Sequence, residues 1–370
     1  MSTGVAAFPL IEENPYQHLL YSALASFGLE VIPDAHFKIR ELWRARGRID
    51  VLHFHWPQNY YRWWRRPARH ATFLSWVKLG LFAVRLMFGR ALGYRIAWTI
   101  HEVYPHERAP GRVDRLGSAL LARFSHVLIA HDRGTARHAA EQLGCRLERI
   151  TIVPHGSYIG VYPEGRSRAA VRSELGLAAG TFVFLSFGHL RAYKEIERLL
   201  AAFSGAALPD AALVVAGLPL DGRSSAAVRD AAEADPRIIP LLEFVPDERV
   251  AELFGAADAA VLPRSDGGTS GALILALSLG LPVVAARVDD YAELTGGEGA
   301  GWLFEPGEPD SLRDTLERAA TDREAAQEKG RGALAQAEVL RWPEIAARTA
   351  SLLAPTVDTG AGAARTGWSP

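Results

Sequence analysis

The sequence predicts two doubly wound α/β domains, each a parallel sheet covered by helices on both faces. Three observations carry this expectation. Short β-branched and aromatic apolar runs alternate along the whole chain with longer stretches of helical period. The runs are continuously apolar, as in "IDVLHFHW" and "AALVVAG", rather than alternating, so both faces of each sheet are buried. The runs also fall into two sets, separated by the Pro- and Gly-rich stretch "VPHGSYIGVYPEGRSR" at 153–168. A length of 370 residues fits two domains of roughly 150–200 residues.

In chain order, the first set is "VAAFPL", "LEVIP", "IDVLHFHW", "YRIAWTIH", "HVLIAH" and "RITIVP". Helical periodicity lies between them over Pro15–Phe27, Phe73–Leu92, Arg112–Phe124 and Arg133–Leu143. The second set is "TFVFLSFG", "AALVVAG", "RIIPLLEFV", "AAVLPR", "PVVAAR" and "GWLFEP", again with helices between. The expected divisions are residues 1–158, residues 159–340, a C-terminal helix over 341–354 around "WPEIAARTASLLA", and a disordered tail over 355–370.

Composition narrows the class. The chain is 49% apolar with moderate Gly and Pro, as globular proteins are. A single cysteine, Cys145, rules out an intrachain disulfide and fits a reducing, cytoplasmic setting. The N-terminus has no basic n-region, so no signal peptide is expected. No uncharged apolar run reaches roughly 18 residues, so no membrane-spanning helix is expected either. The net charge of −1 hides an asymmetry. Residues 1–155 hold 21 Lys and Arg against 12 Asp and Glu, and residues 156–370 hold 20 against 30. The halves therefore suit different partners.

In open parallel sheets ligands bind beyond the carboxyl ends of the strands, so the residues just after each strand are the informative ones. After the first strand stands "ENPYQ", Glu13 to Gln17, in which Asn14 suits a helix N-cap and Pro15 a first helical turn. After the third stands "HFHWPQNYYRWW", where His53 and His55 share one strand face. Trp56, Asn59 and Tyr60 there suit stacking on and bonding a sugar, and aromatic packing under a loop is the plain alternative. After the fourth stands "WTIHEVYPHE". Its His101 and His106 are five apart with Pro105 between them, which spoils the helical spacing of a zinc site. His101 is instead the first residue past a strand, placed to bond a hydroxyl or relay a proton. Glu102 joins it on the acceptor side, and His106 and Glu107 shape the loop.

Two motifs stand out in the second half. In "FLSFGHLRAYKEIERLLAAF" a strand ends at Gly188, and Arg191 and Lys194 fall at the next helix start, suited to a diphosphate. In "LPRSDGGTSGALILALSLGLPVVA" a Gly-rich turn precedes a helix. Its backbone N–H groups and helix dipole suit phosphate, although Thr269 and Ser270 can equally cap the helix. Neither a phosphate-loop pattern nor a Gly-x-Gly-x-x-Gly is present, which argues against an ATPase and a dinucleotide dehydrogenase. Eight basic residues and no acid lie over Arg62–Arg95, interleaved with aromatics. That composition fits a helix on an anionic membrane surface or a phosphate-bearing acceptor, and the acidic second half argues against nucleic acid.

These segments together resemble a GT-B glycosyltransferase, most similar to the large retaining family 4. The likeness covers nearly the whole chain and is strongest in "FGHLRAYKEIERLLAAF", "GTSGALILALSLGLPVVA" and "TIHEVYPHE". A subgroup of bacterial polysaccharide and natural-product transferases carries similar "NPYQ", "HWP" and "PHE" segments. The resemblance implies two Rossmann-like domains facing across a cleft, the nucleotide-sugar held mainly by the second and the acceptor by the first. The C-terminal helix near Trp342 would cross back to the first domain. Carried onto this sequence, the diphosphate contacts fall on Arg191 and Lys194, and the donor site on Gly188, Asp266, Gly268, Thr269, Ser270 and Gly271. His101 reaches the donor sugar. Asn14, Gln17, His53, His55, Trp56, Asn59 and Glu102 line the acceptor side.

One departure is clear. The family's two glutamates, eight apart, fall on Gly267 and Leu275, so both are absent, and Asp266 stands one residue from the first. The implied reaction is metal-independent, cofactor-free transfer of a sugar from a nucleotide-sugar to a hydroxyl, with retention. The acceptor class is a glycan, a lipid-linked saccharide or a natural product, and the Arg62–Arg95 region points to the inner face of the plasma membrane. An epimerase or hydrolase of nucleotide-sugars, and a non-catalytic binding homologue, are the rival readings.

Overall fold

The structure is a computed structural model that describes residues 2–11, 14–63, 71–104, 110–265 and 268–354. Every apolar run quoted above contains a strand. The first sheet has strands β1 (Thr3–Phe8), β2 (Leu29–Val31), β3 (Val51–Phe54), β4 (Arg95–Ile100), β5 (Val127–Ala130) and β6 (Ile150–Ile152). Its spatial order is β2-β1-β3-β4-β5-β6, and every pairing is parallel. The helices of this half are α1 (Pro15–Ala25), α2 (Ile39–Arg44), α3 (Gln58–Tyr61), α4 (Ala71–Ala91), α5 (Arg112–Phe124) and α6 (Arg133–Leu143).

The second half has α7 (Arg168–Glu174), then strands β7 (Phe182–Phe187), β8 (Ala211–Ala216), β9 (Ile238–Leu241), β10 (Ala259–Leu262), β11 (Val283–Ala286) and β12 (Gly301–Phe304). Its order is β12-β11-β10-β7-β8-β9, again all parallel. The helices between and after these strands are α8 (Ile196–Ser204), α9 (Gly222–Ala234), α10 (Asp247–Ala256), α11 (Gly271–Ser278), α12 (Asp289–Leu294), α13 (Ser311–Thr321), α14 (Arg323–Glu338) and α15 (Trp342–Leu353).

Parallel pairing forces a crossover after each strand, and the helices that make it cover both faces. On one face of the first sheet Phe8, Phe54, Trp98 and Leu121 pack with Phe82 and Leu86 of α4. On the other, Val5, Val51, Ala97 and Ile129 pack with Leu20 and Leu24 of α1 and with Ile345 and Leu353 of α15. The last helix thus seals the first sheet, and Arg95 Nε donates to the Leu352 carbonyl at 3.1 Å. Trp342 at its start donates Nε1–H to the Ser157 carbonyl at 2.7 Å, and Gly156 has no room for a Cβ beneath the indole.

The α4 helix corrects two expectations. By length and composition alone its 21 residues, with a mean hydropathy of 1.5 over 18 of them, are enough to cross a membrane. Counting only uncharged runs missed this, because Lys78 and Arg85 interrupt an otherwise apolar helix. Ser75, Leu79, Phe82, Leu86 and Gly89 form its buried face. Phe73, Trp76, Val77, Leu81, Val84 and Met87 stand exposed on the other. Nor is the basic run all surface: Arg62 is buried and ion-paired to Asp114, with Nε 2.5 Å from the carboxylate. Arg65, Arg66 and Arg69 lie outside the described residues.

Each sheet reverses its winding once. In the first, β1 lies between β2 and β3; in the second, β7 lies between β8 and β10. The loops that leave β1 and β3, and those that leave β7 and β10, run apart and open a crevice at the strand ends. The segments singled out in the sequence follow these four strands and β4, the neighbour of β3.

Candidate active site

The side expected to hold the donor is built on β7 and β10. Gly188 ends β7 at φ +101, and a Cβ there would lie 2.9 Å from Lys194 Nζ, so glycine lets the lysine lie across the strand end. A 3₁₀ turn over Ala192–Lys194 follows, and Glu195 then takes a left-handed conformation, φ 54. It is the one non-glycine residue with positive φ among the described residues. Such a conformation costs about 1 kcal/mol or more. The Glu195 carboxylate offsets this by accepting from Ser265 N at 3.0 Å and Ser265 Oγ at 2.5 Å, which ties the β7 loop to the β10 loop.

Lys194 has no hydrogen-bond or ion-pair partner among the described residues, and its nearest charges are the cations Arg264 and Arg191. Burial, then Arg264 and Arg191, push its ammonium down from 10.5 to about 8. Arg264 stacks over the Tyr193 ring at 5.3 Å. Facing this group is the start of α11, where Ser270 caps the helix by accepting from Leu273 N at 3.3 Å. The N–H groups of Gly271 and Ala272 in the first turn have no intrahelical acceptor. Tyr193, Lys194, Arg264, Thr269, Ser270 and Gly271 line a cavity of about 170 Å³. Clustered cations beside a helix N-terminus make an anion site.

Two predicted donor residues already bond within the protein, Gly268 through the N–H it would offer and Thr269 through its hydroxyl alone. The Thr269 hydroxyl donates to Asp132 Oδ2, and the Gly268 N–H donates to Asp290 Oδ2 at 3.1 Å. Asp290 also accepts from Gly134 N at 2.9 Å, across the domain junction, and Arg137 pairs with Asp289 beside it. Asp266 and Gly267 lie outside the described residues. Leu275 is buried among the core residues of the second sheet, so it offers nothing to a ribose.

The side expected to hold the acceptor converges on Tyr16, in the first turn of α1. Its ring packs edge-on against His101 at 5.0 Å and His131 at 5.2 Å, and beside His155 at 4.7 Å. His101 stacks flat on Trp56 at 4.6 Å and 13°. His101 Nε2 lies 3.1 Å from His55 Nδ1. Burial first, then the neighbouring imidazoles, hold His101 and His55 well below the ordinary histidine value. Burial likewise pushes His53 and His155 down to about 3. The cluster is therefore neutral at pH 7. Among the described residues no group of His, Cys, Asp or Glu is arranged to hold a metal ion.

The other predicted acceptor residues divide. Trp56 and Glu102 stay beside His101, and the Glu102 carboxylate accepts from Gln58 Nε2 at 3.0 Å. Asn14 caps α1, accepting from Gln17 N at 3.2 Å. Gln17 is fully buried and braces the loop after β1, accepting from Ile11 N at 2.7 Å and donating to the Pro9 carbonyl at 2.9 Å. His53 and His55 are also fully buried, with both ring nitrogens of each bonded inside the protein. None of the three offers a free atom to a substrate. Asn59 is exposed, and its carbonyl accepts from Lys78 Nζ at 2.9 Å. Glu13, His106 and Glu107 lie outside the described residues.

Sequence reasoning missed Tyr16, Tyr21, Asp132, Arg264 and Asp290. Arg264 and Asp132 were within reach of the strand-end rule, since each stands two residues past a strand. Tyr16 stands inside the strand-end segment "ENPYQ" beside Gln17, whereas Tyr21 sits within a helical period and carries no such signal.

Residues 167–335 match the family model described as glycosyl transferases group 1. A GDP-mannose:glycolipid 4-beta-D-mannosyltransferase of Xanthomonas campestris pv. campestris is 29% identical over 80% of this chain and 76% of its own length. A D-inositol 3-phosphate glycosyltransferase of Nocardia farcinica is 28% identical over 81% of this chain and 65% of its own. Among solved structures, Anabaena Alr3699/HepE in complex with UDP superposes with a TM-score of 0.73 at 17% identity, covering 95% of this chain and 99% of that one. The lipopolysaccharide glycosyltransferase WaaG does so at 0.64 and 16%, with the same coverage. The fold is GT-B, and the chain is a glycosyltransferase.

Proposed function

We propose that this glycosyltransferase takes a hexose from a nucleoside-diphosphate sugar bound at Lys194, Arg191, Arg264 and the start of α11, and passes it to a hydroxyl of a lipid-linked glycan at an anionic membrane surface. The observation that carries the donor half is Lys194. A half-buried ammonium beside two guanidinium groups, with no carboxylate partner among the described residues, is unfavourable until an anion arrives. A diphosphate supplies that charge. As the glycosidic bond breaks, negative charge grows on the leaving phosphate, and the same groups stabilise it without a metal ion. His101 and Trp56 hold the sugar or the attacking hydroxyl. The relative named for GDP-mannose, and a neighbour holding UDP, support a nucleotide-sugar donor.

The acceptor half rests on α4 and α2. The exposed side chains of α4 continue onto Ile39 and Trp43 of α2, with Trp43 and Phe88 rings 6.4 Å apart. Lys38, Arg40, Arg44 and Arg46 rim this apolar face, all exposed. An apolar helix face with a cationic rim suits the interface of an anionic bilayer. Lys78 of α4 also bonds the carbonyls of Asn59 and Arg62, which joins the membrane helix to the acceptor loop. The Xanthomonas relative, named for a glycolipid acceptor, favours the lipid-linked class. With one free cysteine, the reducing inner face is the fitting side.

Retention is the course first expected. A second reading, inversion, is favoured by the β-linkage in that relative's name and by the empty positions Gly267 and Leu275. An inverting transfer would use His101 as base on the incoming hydroxyl. The deciding experiment screens UDP-, GDP-, ADP- and dTDP-sugars by thermal shift, then assays the best donor with a lipid-linked saccharide and reads the product's anomeric configuration by NMR. A donor that raises the midpoint and labels the lipid-linked saccharide supports the reading. Absence of any shift, or sugar release without transfer, overturns it.

A further inference from the structure

We propose that Tyr21, His53 and His55 are positioning residues for the transfer: they form a buried hydrogen-bond chain that decides which ring nitrogen of His101 carries the proton. The inference rests on His101 facing substrate, as argued above.

The chain is continuous. The Tyr21 hydroxyl lies 2.9 Å from His53 Nδ1 and 2.7 Å from His55 Nε2. His53 Nε2 lies 2.8 Å from Thr99 Oγ1 at the far end, and His55 Nδ1 lies 3.1 Å from His101 Nε2 at the near end. Tyr21, His53, His55 and Thr99 are all buried, so water cannot complete these bonds. The imidazoles are neutral, and each carries a single N–H. A hydroxyl has one proton, so Tyr21 uses it within this chain only by donating to one histidine while accepting from the other.

Two arrangements satisfy every link. In one, Tyr21 donates to His53, His53 Nε2–H donates to Thr99, and His55 Nε2–H donates to Tyr21. His55 Nδ1 then accepts from His101 Nε2–H, and His101 Nδ1 is left with a free lone pair. In the other every bond is reversed, and His101 Nδ1 carries the proton. Any mixture either sets two lone pairs or two N–H groups face to face or, where Tyr21 accepts from both histidines, leaves its buried O–H without an acceptor from this chain, at a cost of about 1–3 kcal/mol. His101 cannot escape by rotating, because Trp56 lies on one face and Tyr16 against it. Its Nδ1 has no protein partner among the described residues. Whether the cleft meets a base or a donor at that atom is therefore settled by side chains buried behind it.

Tyr21→Phe tests this, since it removes one hydroxyl and keeps the ring. Long-range ¹H–¹⁵N spectra of the whole protein read the His101 tautomer, and the transfer assay reads kcat and donor KM. The expected result is a changed or mixed His101 tautomer, a kcat lower by about tenfold or more, and an unchanged donor KM. An unaltered His101 signature, or a kcat within about twofold of the parent, overturns the proposal. Should Tyr21→Phe fail to fold, Thr99→Val removes the far end of the same chain at equal volume and is judged by the same two readouts. His101→Ala separates this inference from the reading beneath it. If that variant transfers at the parental rate, His101 has no role and the functional reading fails, whatever the tautomer spectra show.

Discussion

The carboxyl groups of Asp132 and Asp290, one from each domain, meet in a hydrogen bond at the domain junction. Asp290 also accepts the N–H groups of Gly134 and Gly268, and Asp132 accepts the Thr269 hydroxyl, so the pair joins the donor loop to the first domain. Burial, then the charge and hydrogen bond of Asp132, raise Asp290 from 3.8 to about 6. A raised acid favours its protonated form in the folded state. Its contribution is fully present below about pH 4 and is lost as pH rises through about 6. Asp290→Asn keeps an amide that donates to Asp132 at every pH. The difference in thermal midpoint between the parent and this variant should therefore change across pH 4 to 6 and be flat above it. A constant difference across that window counts against the shared proton.

Lys194→Met should leave the ligand-free protein as stable as the parent or more so. The folded state holds the ammonium at about 8 against 10.5, so the cost of keeping it charged is fully present below about pH 8 and is relieved as pH rises toward 10.5. The variant should lose the rise in midpoint that a nucleoside diphosphate gives the parent. In the parent, diphosphate affinity should fall as pH rises through about 8, because the neutral amine no longer attracts it. A variant that still responds to nucleoside diphosphates removes Lys194 from the donor site.

Arg264→Gln should weaken donor binding by about 2 kcal/mol, roughly thirtyfold, as expected for the loss of a charge-assisted contact. Folding should be spared, because the side chain lies over the Tyr193 ring at the cavity wall rather than in a core. Isothermal titration with the nucleoside diphosphate measures it. A change under threefold would mean that Arg191 and Lys194 hold the anion alone.

A triple change of Phe73, Leu81 and Met87 to Glu should abolish sedimentation with anionic vesicles and leave the thermal midpoint nearly unchanged. Those side chains are 68%, 45% and 50% exposed, so the fold does not depend on them. Transfer to a short soluble acceptor should persist, while transfer to the lipid-linked one should fall. Continued vesicle binding by the triple variant places the membrane contact elsewhere.

Much of this protein was legible in its sequence, for definite reasons. The twelve apolar runs became twelve strands because a sheet covered on both faces leaves no polar alternation to blur the signal. Lys194, Arg191, His101 and Trp56 stand just past strand ends, as the sequence predicts, because strand ends can be read from where apolar runs stop. Gln17 and His53 were misassigned to the acceptor, although both have suitable chemistry at suitable positions. Proximity in sequence shows which side chains stand at a crevice, not which of their atoms are already bonded. The cationic surface was overstated for the same reason, since nothing in "NYYRWWRR" marks Arg62 as the buried partner of Asp114.

By itself the sequence determined two parallel α/β layers, a basic donor loop and a histidine at the cleft, because periodicity and strand-end chemistry are local. The tertiary structure alone decided that Tyr21 would sit behind His101, that Asp132 would reach Asp290 across 158 residues, and that one face of α4 would stay bare. Those relationships depend on which helix packs on which sheet and on how the two domains meet. They exist only once the chain has closed on itself.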